Sequence, residues 1–330
     1  MTELLLASCN PIITGIRGWR HGQQTMQRAS VHVYRSYILL ILTMLIWGAC
    51  WVAGKLAVTA VPPFTAGFFQ YLSASVLLLM QLLLVGPRSK PRYGRGDLKA
   101  FTLLGLTGIF GYSALFFIGV QFTTASQGSI ISGFSPAAVF VFAHLLNRES
   151  LDSHWQYLGF LLSFLGVMLV IGIQAFVDFQ LPQFVGNVII LGAMFAWGLY
   201  SAIGKRVMDA ISPLEALTGA VLAGTLMFGV GAIAEQFWSL PGLLQPVFWL
   251  NILFIGVMGC YVGDLLYLKS VETIGPTRTG VFLNLVPVFG VILSVIILAE
   301  VISWSSLFGM CLIVAGILVI NRNRVSVSAV

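Results

Sequence analysis

The sequence predicts an all-α integral membrane protein of ten transmembrane helices, arranged as two inverted five-helix repeats (5+5). Three observations carry that expectation. The chain of 330 residues is 58% hydrophobic and only 8% charged, with a mean hydropathy of +0.96, where a soluble domain carries about 25% charged residues. Its basic residues crowd into alternate gaps between the apolar runs. One stretch also occurs twice: MLIWGACWVAGKLAVTAVPP, from Met44 to Pro63, returns 150 positions later as MFAWGLYSAIGKRVMDAISP, from Met194 to Pro213. Met44/Met194, Trp47/Trp197, Gly48/Gly198, Gly54/Gly204, Lys55/Lys205, Pro63/Pro213 and Ala66/Ala216 are identical at that offset. Trp, Lys and Pro are rare in apolar sequence, so their joint return indicates duplication.

Taken in order, residues 1–35 read as a polar, basic N-terminal tail with Arg17, Arg20, Arg28 and Arg35. Their LLLA patch is too short for a signal-peptide core, and Met26 offers an alternative start that would leave residues 1–25 outside the native chain. A span needs about 20 apolar residues, and ten runs qualify: 37–58, 64–85, 98–120, 123–146, 154–173, 185–207, 213–236, 247–270, 276–299 and 303–321. Pro, Gly and charge punctuate them, as in VPP at 61–63 and GPRSKPRYGRGDLK at 86–99. The first repeat is expected over 36–173, the second over 185–321, and a C-terminal tail over 322–330.

Counting Lys and Arg sets the orientation. With both termini cytoplasmic, 16 of the 17 basic residues lie inside and Lys55 alone lies outside. Five helices per half is an odd number, so the second copy enters upside down relative to the first. That places Lys55 and Glu300 at the outer face, and Lys205 and Glu149 at the inner one. Such inverted bundles suit a binding site at their interface, exposed to each side in turn.

The chain resembles the EamA branch of the drug/metabolite transporter superfamily from about residue 38 to 321. The first-helix pattern WGxxxxxxK stands as Trp47, Gly48 and Lys55, and again as Trp197, Gly198 and Lys205. The end of each half carries a mid-helix Pro (Pro136, Pro287), a Glu before the last helix (Glu149, Glu300) and a Gly-rich final helix. The resemblance implies a ten-helix exporter-like fold with helices 5 and 10 peripheral and the others around a central cavity. Cys50 and Gln70 replace residues that are often polar or Arg in the family, and Asp264 lies outside its common pattern.

Asp264 stands out chemically, because an ionisable residue deep in an apolar helix costs about 2.5–3.5 kcal/mol on insertion scales and usually faces a cavity, a partner or an ion path. It suits a proton-coupling or substrate-ammonium group, or a structural carboxylate paired with Lys269. Lys55 and Lys205 are either snorkelling anchors or halves of Lys–Glu gates with Glu300 and Glu149, which in turn are possible caps of the helices that follow them. Pro136 and Pro287 are expected to kink their helices, with Ser129, Ser132 and Asn284 near the kinks as cavity liners. Trp47, Trp51, Gln70, Tyr112, Trp197, Tyr200, Tyr261 and Tyr267 complete the expected cavity, while Trp155, Trp238, Trp249 and Trp304 read as interfacial belt residues.

Enzymatic chemistry finds no support. Gly263-Asp264 resembles part of the GxGD motif of intramembrane aspartyl proteases, but Tyr261 stands where its first Gly belongs and no second membrane carboxylate is available. No HExxH, GxSxG or P-loop occurs, the four cysteines show no metal spacing, and no cofactor is implied. The basic residues serve membrane orientation and not nucleic-acid binding. The expected function is secondary transport, as a probable exporter, of a small metabolite, amino-acid-like or drug-like solute across the cytoplasmic (inner) membrane. Protons are the candidate coupling ion. A membrane receptor or scaffold is the alternative, and the sequence leaves open whether the protein is a homodimer.

Overall fold

The computed structural model describes residues 35–86, 93–147, 154–177, 180–267, 270 and 282–327. Glu149 and Lys269, named above, lie outside the described residues, as do residues 1–34. Every regular element among the described residues is helical: α1 Arg35–Ala60, α2 Pro63–Val85, α3 Arg95–Phe122, α4 Ala125–Leu146, α5 His154–Val177, α6 Leu181–Met208, α7 Pro213–Ala234, α8 Pro246–Tyr267, α9 Leu285–Leu298 and α10 Trp304–Val327. Of these, α1–α4 and α6–α8 are long and apolar enough to cross a membrane. At 1.5 Å per residue, α1 with its 26 residues spans roughly 39 Å, beyond the ~30 Å hydrocarbon core. Large apolar side chains such as Leu83, Leu84, Leu226, Val230 and Ile296 are exposed on the helices, as a lipid-facing surface requires. Within α10 the helix runs on through Arg322 and Arg324 to Val327, past the expected boundary at 321, because nothing in INRNRV breaks it.

Punctuation explains the helix starts. Pro63, Pro213 and Pro246 occupy the first turn of α2, α7 and α8, where a missing N–H costs nothing. Ser212 and Glu215 form a reciprocal capping box on α7. Tyr93, just ahead of α3, donates its hydroxyl to Glu215 Oε1 at 2.8 Å; partial burial, then that hydrogen bond and charge, push its phenol up to about 12. The folded state therefore resists losing this proton where the unfolded chain gives it up. Stability is expected to fall as pH rises from about 10 toward 12, and Tyr93→Phe should flatten that part of a pH-dependent unfolding curve.

Two helices depart from simple α geometry in matching places. The middle of α3, Gly105–Tyr112, and the middle of α8, Phe254–Gly263, are wound as π-helix, a winding that often marks functional positions. In α4 the helix breaks at Gly133 and Phe134 and restarts at Ser135, and α9 is preceded by the same break at Leu283 and Asn284. Each interruption lies just ahead of its proline. Pro136 and Pro287 bring no N–H, and their rings crowd the carbonyl four residues back, so the preceding turn gives way.

The helices pack through small residues that meet backbone. A Cβ on Gly48 of α1 would lie 2.8 Å from the Gly290 nitrogen of α9, and one on Gly198 of α6 would lie 2.6 Å from the Ala138 carbonyl of α4. Gly105 of α3 abuts Ala220 and Ala223 of α7, and Gly256 of α8 abuts Gln70 and Ser73 of α2. Between α5 and α10, Gly166 faces the Gly309 carbonyl at 2.6 Å and Gly309 faces that of Gly166 at 2.7 Å.

Two contacts join residues to their own counterparts 150 positions away. Ser75 Oγ and Thr225 Oγ1 lie 2.8 Å apart, and Ser163 Oγ donates to the Ile313 carbonyl at 3.4 Å. Both helix pairs run antiparallel. Glu235, just past the C-terminal end of α7, caps the N-terminal end of α2 by accepting from Phe64 N (3.1 Å), Thr65 N (2.6 Å) and Thr65 Oγ1 (2.7 Å). On the other pair, Gly316 meets Gly159 while Gly309 meets Val170.

Candidate functional site: a carboxylate among aromatic rings

The matched π-helices lead to the centre of the bundle. Winding a turn to five residues leaves carbonyls free to accept from elsewhere, and Trp47 of α1 uses one, donating Nε1–H to the Gly259 carbonyl at 3.1 Å. Gly263 makes this approach possible, since a Cβ there would stand 2.6 Å from the indole nitrogen. Trp47 thus packs against α8 at Gly259 and Gly263, and its ring contacts Tyr267 at a centroid distance of 5.4 Å. From the other side, Tyr112 of α3 meets Trp197 of α6 at 5.3 Å, and Trp197 meets Tyr200 at 5.4 Å. Gly108 leaves the space that the Tyr200 ring fills.

Asp264 sits amid these rings. Cys50, Tyr71, Tyr112, Tyr200, Cys260 and Tyr267 are all within electrostatic reach of its carboxylate. Among the described residues it makes no hydrogen bond or ion pair, and no second acid or base lies in this group. Asp264 is half-buried, as are Trp47, Tyr112, Trp197, Tyr200 and Tyr267. The hydroxyls of Tyr112, Tyr200 and Tyr267 are likewise in no hydrogen bond among the described residues.

The remaining expected liners divide. Gln70 is buried and donates Nε2–H to Cys260 Sγ at 3.1 Å, one residue from the ring cluster. Tyr261 is half-buried against the core formed by α2, α3 and α7. Trp51 is 3% exposed, packed edge-on against Phe116 at 4.8 Å, and belongs to the core. Ser129 donates to the Ser126 carbonyl at 2.9 Å and Ser132 to that of Ser129 at 2.6 Å, so both hydroxyls serve α4 itself. Asn284 is buried, and neither of its amide atoms has a hydrogen-bond partner among the described residues. Among the described residues no group of three or more His, Cys, Asp or Glu converges to hold a metal ion.

Lys55 and Glu300 come to the same place without touching. Lys55 Nζ donates to the carbonyls of Val120 (2.6 Å), Gln121 (3.2 Å) and Thr123 (2.7 Å) at the C-terminal end of α3, where a cation complements the helix dipole. Glu300 accepts from Ala125 N and Ser126 N, both at 2.8 Å, and from Ser126 Oγ at 2.5 Å. It therefore caps α4, while the helix that follows it, α10, is capped by Ser303, which accepts from Ser306 N at 3.2 Å. The two charges clasp the α3–α4 turn from both sides. Lys205 is exposed at the end of α6.

Sequence reasoning missed the polar cluster beneath this clasp. Thr123 donates to Gln127 Oε1 at 3.2 Å and to Asn187 Oδ1, and Asn187 Nδ2 donates to Gln127 Oε1 at 2.8 Å. All three are buried. Their one sequence signal is Asn187, a carboxamide within an apolar run. Removing the clasp's acid should be felt locally. Glu300→Ala leaves three donors without their acceptor, a loss of about 1–3 kcal/mol, and is expected to speed amide hydrogen exchange at Ala125 and Ser126.

Comparison with known proteins agrees with this architecture. A family model described as the EamA-like transporter family matches residues 34–172 and again residues 184–322. The chain is similar to the uncharacterized transporter YyaM of Bacillus subtilis, 27% identical over 86% of this chain and 92% of that one. It is also similar to the uncharacterized transporter YetK of the same organism, 28% identical over 86% of each. An uncharacterized transporter of Archaeoglobus fulgidus is 23% identical over 88% of this chain and 100% of its own length. A protein of known crystal structure shares the fold, with a TM-score of 0.58 at 19% identity over 87% of this chain and 96% of the other. With its helices apolar enough to cross a bilayer and two family matches spaced one repeat apart, the chain belongs to the EamA-like transporter family, a multi-pass membrane branch of the drug/metabolite transporter superfamily.

Proposed function

We propose that the protein is a secondary transporter of a small organic solute, built of ten transmembrane helices in two inverted five-helix halves and working by alternating access. The observation that carries this reading is the position of Asp264: a carboxylate with no hydrogen-bond or ionic partner among the described residues, amid aromatic rings to which α1 and α3 contribute from one repeat and α6 and α8 from the other. Residues touching their own counterparts across antiparallel pairs, Ser75 with Thr225 and Ser163 with Ile313, support a two-fold axis in the membrane plane. A site on such an axis can be opened to either side by equivalent motions.

The conformation described here is closed at the Lys55 end. Glu235 ties α7 to α2, Glu300 and Lys55 hold the α3–α4 turn, and Gly242 lies against the Ala60 carbonyl. Opening that end breaks the clasp, which makes Lys55 and Glu300 the outer gate. By the sequence repeat, Lys205 and Glu149 are the corresponding pair expected at the inner face. The charge distribution supports cytoplasmic termini, and outward movement of solute across the cell's inner membrane rests on the family resemblance. With no nucleotide-binding motif in the sequence, a gradient supplies the energy, and Asp264 carries the coupled proton. The reading is tested by accumulation in proteoliposomes under an imposed pH gradient, over a panel of amines, amino acids and neutral drugs. Gradient-dependent accumulation of at least one is expected, and identical behaviour with and without the gradient would remove the proton.

A further inference from the structure

We propose that the solute carries a protonated amine on an apolar, preferably aromatic body, and that Asp264 is the group that receives it. The inference rests on the transport reading above and adds the chemical class. An anionic head would meet Asp264 in a medium of low dielectric with no cation among the described residues to offset it. Of the described cationic side chains with assigned surroundings, Arg35, Arg95, Lys99, Lys205 and Arg206 are exposed, and Lys55 is committed to the carbonyls of α3. A neutral hydroxyl or amide head can donate one hydrogen bond to the carboxylate but leaves its charge unbalanced. An ammonium group balances it, with N–H donors that the described residues around it do not provide.

The rings are placed for the same guest. Trp47 has spent its N–H on Gly259, so it offers the cavity ring surface and no donor. Tyr267 leans on it at 5.4 Å, one turn of α8 beyond Asp264, and the two present the electron-rich faces that attract a cation within about 6 Å of a ring centre. Across the cavity, Tyr112, Trp197 and Tyr200 form a continuous aromatic wall, suited to the body of the solute. The unbonded hydroxyls of Tyr112 and Tyr200 can additionally meet one hydroxyl or ether oxygen on that body.

The test compares 2-phenylethylamine with 2-phenylethanol, which share size and ring and differ in the charged head. Binding is measured on the detergent-purified full chain by tryptophan fluorescence and by ligand-dependent thermal stabilisation. The wild type is expected to bind the amine at least tenfold more tightly than the alcohol. Asp264→Asn should bring the two within about twofold while remaining folded by melting curve, and Asp264→Glu should restore the preference. Equal binding by the wild type, or a preference that survives Asp264→Asn, overturns the assignment. Exchange assays separate this outcome from failure of the transport reading. Proteoliposomes that exchange an acidic or neutral solute but no amine overturn the amine alone, whereas proteoliposomes that exchange no solute overturn the transport reading beneath it.

Discussion

Asp264→Asn is expected to reduce gradient-driven solute accumulation at least a hundredfold while leaving the protein as stable as the wild type or more so. The two effects have one origin. In the folded protein the carboxylate has no hydrogen-bond or ionic partner among the described residues, and the groups in its reach are thiols and phenols. An unpaired charge in such a place is a cost to folding, on the order of 2.5–3.5 kcal/mol on insertion scales. Asparagine keeps the shape and removes that cost, but it can neither release a proton nor balance an ammonium. A structural carboxylate gives the opposite pattern, since breaking a buried pair is destabilising by about 3–5 kcal/mol. Parallel measurement of melting temperature and accumulation in one variant therefore decides between a working acid and a supporting one.

The second large effect concerns the backbone contacts that join the repeats. Valine at Gly105 would place its Cβ 2.7 Å from Ala223 Cβ and 2.8 Å from the Ala220 carbonyl, and valine at Gly256 would place its own 2.5 Å from the Gln70 carbonyl. None of these partners can swing aside as a flexible side chain does, so α3 must part from α7, or α8 from α2. Overpacking of this kind costs about 1–3 kcal/mol, occasionally more, and here it also shifts the π-helical segments, one carrying Tyr112 and the other ending just before Asp264. Gly105→Val and Gly256→Val are each expected to lower the melting temperature and to cut transport severely, by similar amounts because the positions correspond between the repeats. Gly192→Ala is the contrast. Its nearest neighbour would be a Leu115 methyl at 3.7 Å, so it should leave both readouts close to those of the wild type.

How much of this was legible beforehand depended on the physical range of each feature. Helix positions were legible because spanning a bilayer demands about 20 apolar residues and tolerates few breakers; expected and observed ends of α1, α2, α3 and α7 differ by no more than three residues. Asp264 was legible because a lone acid in such a run is conspicuous. The partners of polar residues were not. Glu300 was expected to face Lys55 or to cap the next helix, yet it caps α4, 174 residues or more away in sequence. The Thr123–Gln127–Asn187 cluster likewise joins helices that no local pattern connects. The π-winding of α3 and α8 left no trace in the hydrophobic pattern, because a helix apolar on all sides has no periodicity to disturb. Trp51 shows the same limit: it was expected at the cavity because the resemblance places its helix there, but only the packing of Phe116 and Gly128 reveals that it fills the core.

The most direct test of carrier function is counterflow. Purified protein is reconstituted into liposomes loaded with a millimolar amine, then diluted into the same amine at trace radioactive concentration, with no nucleotide and no imposed gradient. Alternating access by a secondary transporter gives a transient internal excess of label above its equilibrium level, absent from protein-free liposomes and from Asp264→Asn. A monotonic approach to equilibrium at the rate of protein-free liposomes, across amines, amino acids and neutral drugs alike, would contradict carriage by this fold.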